Sequence, residues 1–169
     1  MPNWCNNTIT INADEKVLDS FENFLEENNG KEWFSFFRPI PQEIIESDES
    51  YGWAVQNWGC KWNCDAQDWT RDDEGIHFWF DSPWGPPIEL YEFLDDSDIN
   101  VDASFLEEGM SFVGRFFEGE SEEYEYESGN PESLEDIPEY LIEHWNLYDL
   151  VEDGDDETFI DVNETGGKW

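Results

Sequence analysis

Cys60 and Cys64 are separated by three residues, and with Cys5 and His77 they offer three thiols and an imidazole, the donor types of a tetrahedral zinc site. The second half of such a site would be a single Cys and a single His from other strands. The residues therefore favour small buried side chains over ligands, free Cys being among the most buried residue types. The 44 Asp and Glu residues make close carboxylate pairs inevitable, so a pair is no evidence for general acid and base. There is no Ser/His/Asp set, no Gly-rich phosphate loop and no basic clamp for an anionic substrate. His144 falls toward the end of a helical stretch, where a cation is favoured by the helix dipole. No catalytic residue, cofactor or metal ligand is assigned on this basis, and a carboxylate-metal enzyme is the third-ranked reading.

The chemistry left is charge. The chain of 169 residues has a formal net charge of −37, and Phe117 to Glu157 contains neither Lys nor Arg. Residues 1–117 hold 25 acids against 6 bases, leaving −19, and residues 118–169 hold 19 against 1, leaving −18. A surface of this sign repels nucleic acid and anionic membrane and draws basic surfaces to it. The candidate partner-binding residues are Glu118, Glu120, Glu122, Glu123, Glu125, Glu127, Glu152, Asp153, Asp155 and Asp156.

The elements that must carry this charge are legible in outline. Trp4 to Asn12 alternates Thr8 and Thr10 against Ile9 and Ile11, as a strand does. Asn12 is placed to cap a helix with Val17, Phe21, Phe24 and Leu25 on one face, closed by Asn28-Asn29-Gly30. Cys60 to Trp69 and Gly75 to Asp81 read as a hairpin, with residues 42–57 as a loop containing a short helix. Pro86-Pro87 opens a helix bearing Ile88, Tyr91 and Leu94. Val101, Ala103 and Phe105 alternate in another strand, which Gly109 turns into Met110 to Phe117. The order β-α-β-β-α-β plus an edge strand predicts an α+β fold, a ferredoxin-like split βαβ sandwich of an antiparallel sheet and two helices. Residues 118–130 read as a solvated linker. Asp136 and Glu139 begin a helix with Ile137, Leu141, Trp145 and Tyr148 on the face that must dock. Residues 152–158 read as a turn and Thr158 to Val162 as a short strand. The expected organisation is a core domain over 1–117 and an acidic C-terminal extension over 118–169 with one amphipathic helix.

Four stretches resemble the YubB-like family of plasmid and phage proteins: Pro2-Asn3-Trp4-Cys5-Asn6-Asn7, Trp58-Gly59-Cys60-Lys61-Trp62-Asn63, Pro83-Trp84-Gly85-Pro86-Pro87 and Phe112-Val113-Gly114. The resemblance covers about residues 1–117 and implies a mobile-element origin and the split βαβ fold; it supplies no reaction. The family typically has Thr where this chain has Cys60, and a Thr-Ala-Trp-Ser-Pro-Pro run where this chain reads Ser82 to Pro87. Trp4, Cys5, Trp58, Gly59, Lys61, Trp62, Trp84, Pro86 and Pro87 are read as structural, with Lys61 held against the neighbouring indoles or a carboxylate.

Three thiols, no apolar run long enough to span a bilayer and no signal-like N-terminus predict a cytoplasmic protein. The leading functional expectation is a non-enzymatic nucleic-acid mimic that occupies a basic host protein and binds no nucleic acid itself. The alternative is a Trp-lined groove for a small ligand or peptide, with acidity serving solubility or salt adaptation. It would show as a cluster of solvent-exposed indoles.

Overall fold

In the computed structural model, which describes residues 3–156, six strands form one sheet in the order β2-β3-β1-β4-β5-β6. Strand β1 (Trp4–Asn12) lies between β3 (Gly75–Pro83) and β4 (Asn100–Glu107), antiparallel to both. It buries Cys5, Asn7, Ile9 and Ile11 and turns Trp4, Asn6, Thr8 and Thr10 to the other face, the period of two its sequence dictates. Helices α1 (Glu15–Asn28) and α5 (Ile88–Asp96) make the two crossovers. Together with β1, β2 (Gln67–Asp72), β3 and β4 they form the ferredoxin-like split βαβ sandwich, extended by β5 (Phe112–Phe117) and β6 (Glu120–Glu125).

Helix α1 presses Leu18, Phe21 and Leu25 onto the sheet, with Val17 and Phe24 at the margins, so the buried stripe is rotated slightly from the one expected. Its N-cap is Asp14, not Asn12, and Asn29 ends it in the left-handed conformation at φ 56°. The chain then runs through α2 (Phe34–Phe37), α3 (Gln42–Glu46) and α4 (Ser50–Asn57). Phe21 packs tilted against Phe37 with ring centres 4.7 Å apart, and Trp33 meets Phe78 at 5.0 Å and Phe34 meets Trp58 at 5.1 Å edge to face. This aromatic layer fills the space between α1 and the sheet.

Several expected elements differ. Cys60 to Ala66 is not strand. Trp33 N–H donates to Cys64 O at 3.0 Å, Ala66 N–H to Gly30 O at 2.7 Å, and Asn63 Oδ1 accepts from Phe34 and Cys64 N–H. These bonds tie the stretch across the end of α1, and β2 begins only at Gln67. Residues 118–130 are not a solvated linker. Glu118 and Gly119, both at positive φ (54° and 81°), make the two-residue turn of a tight hairpin, and β6 pairs with β5 along its whole length. Half-buried Tyr124 and buried Tyr126 anchor the end of this acidic strand in the apolar cluster over Val113, and Gly114 leaves room for the Phe105 ring that a Cβ would meet at 2.5 Å. A boundary at residue 117 therefore cuts the β5–β6 hairpin.

After a 3-10 turn at Pro131–Leu134, the chain forms α6 (Glu139–Trp145) and α7 (Leu147–Asp156). They dock Ile137, Leu141, Ile142, Leu147 and Val151 over Leu106 and Val113, a second apolar cluster on the face opposite α1. The single helix expected from Asp136 is two, because Pro138 sets the start and Asn146, at φ 56°, breaks the run. Helix continues through Asp156 where a turn was expected, and the expected strand at Thr158 to Val162 lies outside the described residues. No helix among the described residues is long and apolar enough to cross a membrane.

Candidate functional site

The face opposite α1 is only partly covered by α6 and α7, and strand register sets its remaining groups in rows. One row runs Trp79, Thr8, Ser104, Arg115, Glu122; the next runs His77, Thr10, Asp102, Phe117, Glu120. Against α6, Thr8, Ser104 and Arg115 of the first row and His77, Thr10 and Asp102 of the second line a groove of about 490 Å³, with Tyr140 and His144 on the helix side. Thr8 Oγ1 meets His144 Nε2 at 2.9 Å and Thr10 Oγ1 meets His77 Nδ1 at 2.8 Å. The guanidinium of Arg115 donates twice to Asp102 at 3.0 Å and lies 4.2 Å over Phe117 and 5.0 Å over Tyr140. Partial loss of solvent on docking lowers the pKa of His144, with Asp102 opposing. The groove joins α6 to the sheet through hydroxyl, imidazole and guanidinium contacts that largely satisfy one another.

Beyond the end of that groove the face becomes aromatic and acidic. Trp4, Trp62 and Trp79, with Asn63, Asp65, Gln67 and Asp81, line a cleft of about 460 Å³. The rings of Trp4 and Trp62 stand 6.2 Å apart at 67°, and Trp79 Nε1 donates to Asp68 Oδ2 at 3.0 Å. Asp68 sits at φ 53° where the β2–β3 register slips. Asp81 is half-buried and accepts one bond, from Asn6 Nδ2 at 2.7 Å; burial raises its pKa. Nearby, Lys61 Nζ lies 4.9 Å from the Trp84 ring centre, and Trp84 holds φ 70°, uncommon for a bulky residue.

The residues read as structural thus divide. Trp58 is buried and donates to Arg38 O at 2.9 Å, Gly59 takes φ 86° where a Cβ would run into Glu89, and Pro87 is the buried N-cap of α5 with Pro86 beside it. Cys5, Cys60 and Cys64 are buried free thiols, and burial pushes Cys5 and Cys64 well up. Cys5 and His77 face opposite sides of the sheet, so the four-donor metal set does not assemble. By contrast Trp62, Trp79 and Trp84 are 43%, 41% and 43% exposed. That is the cluster of exposed indoles tied to the alternative reading. Trp79 escaped sequence reasoning because it sits within the aromatic run Phe78-Trp79-Phe80; the signal for it was the alternation of His77, Trp79 and Asp81 against buried Ile76, Phe78 and Phe80.

Of the candidate acids, Glu118, Glu120, Glu122, Glu123, Glu125 and Glu127 are brought together, all exposed, on the β5–β6 hairpin and just after it. Glu120 and Glu122 pair with residues of the groove face; Glu123 and Glu125 pair with Gly114 and Phe112 on the other. Glu122 accepts from the hydroxyls of Tyr124 and Tyr140, and Glu127 from Asn130 Nδ2 at 2.8 Å. Glu152, Asp153, Asp155 and Asp156 lie on α7. A group missed in the sequence, Asp72, Glu74 and His77, has one ligand atom from each within 4.8 Å of the others at the β2–β3 turn. His77 Nε2 is already 2.8 Å from Asp72 Oδ1.

No protein-family model matches the sequence, and no curated protein matches it. Among solved structures, the chain is similar to the crystal structure of protein api92 from Yersinia pseudotuberculosis, described by the family model DUF1281, with 21% identity and a TM-score of 0.35. The match covers 62% of this chain and 36% of that one, so the similarity spans little more than a third of the neighbour's length.

Proposed function

We propose that the protein is a non-enzymatic acidic binding protein of a mobile element, which presents a nucleic-acid-like array of carboxylates to a basic, nucleic-acid-binding host protein. The observation that carries this reading is that the exposed acids Glu120, Glu122, Glu123 and Glu125 stand on a hydrogen-bonded strand, with Glu118 in the turn before it. Side chains alternate faces along such a strand, so Glu120 with Glu122 on one face and Glu123 with Glu125 on the other are each set two rises of about 3.4 Å apart, about twice the axial spacing of phosphates along one strand of duplex. Carboxylates held at that pitch need not be ordered on binding, which a flexible acidic tail would require. The net charge of −37 corresponds to that on roughly 60 Å of duplex. The likeness of Pro2 to Asn7 and Trp58 to Asn63 to YubB-like signatures supports the mobile-element origin.

The test is charge reversal where the carboxylates have no structural duty. Glu118, Glu120, Glu123 and Glu125 changed together to Lys should abolish binding to a basic partner captured from host lysate and leave the thermal transition in place. Gln at the same positions should give an intermediate loss, because each group replaces one phosphate contact. Undiminished binding of the Lys variant would leave the charges with only the duty of guarding an exposed sheet edge against pairing.

A second reading is favoured by the exposed indoles: the Trp4/Trp62/Trp79 cleft as a binding groove in its own right. Substituting Trp62 or Trp79 would then abolish binding that charge reversal on β6 leaves intact.

A further inference from the structure

We infer that the cleft lined by Trp4, Trp62, Trp79 and Asp81 is a receptor for a side-chain cation, a guanidinium or ammonium inserted by the basic partner. This rests on the reading that the partner is basic, and it adds a discrete pocket to a diffuse charge field.

Indole faces attract cations through the ring quadrupole, Trp most strongly of the aromatic side chains. Trp4 and Trp62, inclined at 67°, form two walls of a corner, and Trp79 lines the same space from β3. Asp81 supplies the formal charge. It is half-buried, takes a single hydrogen bond from Asn6, and makes no ion pair among the described residues. A carboxylate partly removed from water and left without a counter-ion gains when a cation is brought to it. No base among the described residues lines the cleft. Arg38 and Arg115 lie over Phe93 and Phe117, and Arg71 is paired with Asp19 and Glu22. On the adjoining surface, Lys61 over Trp84 is the same contact made within the molecule. Trp79 is held by Asp68 at the β2–β3 register slip, so the wall is built before a ligand arrives.

The occupant this chemistry selects is an Arg or Lys side chain on a basic surface, charge-complementary to the whole molecule. A sugar would also stack on indoles and donate hydroxyls to Asp81, but, being neutral, it leaves the charge of that carboxylate uncompensated.

The experiment is an NMR titration of the intact chain, following the indole Nε1–H signals of Trp4, Trp62 and Trp79. The probes are the blocked tripeptide Gly-Arg-Gly and its citrulline counterpart, which keeps the shape and removes the charge. The Arg peptide should shift these signals saturably, and the citrulline peptide should leave them in place. Asp81→Asn and Trp62→Ala should each weaken the Arg peptide by roughly fivefold or more. Reversing Glu118, Glu120, Glu123 and Glu125 on the β5–β6 hairpin should leave the tripeptide affinity within about twofold at moderate salt, since β4 and β5 separate β6 from the cleft. Equal shifts with the citrulline peptide would overturn the proposal. So would unmoved signals at millimolar Arg peptide, or a response confined to a gluco-oligosaccharide. A failed tripeptide titration beside a charge-reversal variant that still loses the partner would refute the pocket alone. A successful titration beside an unaffected partner would refute the mimic reading alone.

Discussion

The two faces of the sheet use one residue type for opposite purposes. On the helix-covered side Trp33 and Trp58 are 0% and 1% exposed, whereas on the other side and its rim Trp62, Trp79 and Trp84 each leave about two fifths of their surface in water. The first set sits among Phe21, Phe34, Phe78 and Phe80 and supplies area to a dry core. The second set stands beside Asp65, Asp68, Asp81 and Lys61. What separates the sets is which face of a strand or loop each indole occupies, and whether a helix covers that face. A high Trp content is therefore evidence about core size only after the faces are assigned.

The largest expected effect that can break this comparison is on the covered face. Phe21→Ala and Trp58→Ala should each cost about 3 to 5 kcal/mol in urea unfolding, because each removes a fully buried ring. A cost below about 1 kcal/mol would show that the aromatic layer is not the core. Leu141→Ala comes next. It should cost about 2 to 4 kcal/mol if the α6–α7 cap unfolds with the sheet. If the cap opens by itself, hydrogen exchange of α6 should quicken while β1 stays protected.

A smaller effect, specific to the cap, is set by pH. The pKa of His144 is lower in the folded chain than in the unfolded one, so below about pH 6.5 the unfolded state binds more protons. Stability should fall as the pH drops through that value and level off below the folded pKa. His144→Gln should flatten this part of the profile. A profile unchanged by the substitution would mean that burial of His144 contributes nothing to docking.

The smallest effect belongs to the exposed indoles. Trp62→Ala should change stability by no more than about 0.5 to 1 kcal/mol, against several for Trp58→Ala four residues earlier.

The split βαβ core was legible because its signals are local: alternation in Trp4 to Asn12 and Val101 to Phe105, a helical stripe through Phe21 and Leu25, and Pro86-Pro87 at a helix start. The losses came where tertiary contacts overrule local pattern. Cys60 to Ala66 looks extended, but the chain bends at Cys60 to Trp62, and the backbone bonds of Cys64 and Ala66 go to Trp33 and Gly30 instead of a strand. Glu120 to Glu125 looks unfoldable by composition, yet as an edge strand it needs only its pairing with β5 and an apolar anchor at one end, which Tyr124 and Tyr126 provide. The candidate acids were legible as charge, while their alignment on one hairpin depended on that unforeseen pairing. The cleft was illegible because Trp4, Trp62 and Trp79 come from two strands and a loop, and only the fold brings them together.

The central claim, that the acidic face takes the place of nucleic acid, is tested most directly by competition. With the captured partner held at fixed concentration, the protein should displace labelled duplex DNA completely, duplex should displace the protein in return, and no ternary complex should form. A partner that holds the protein and duplex DNA at once, with neither weakening the other, would contradict the account.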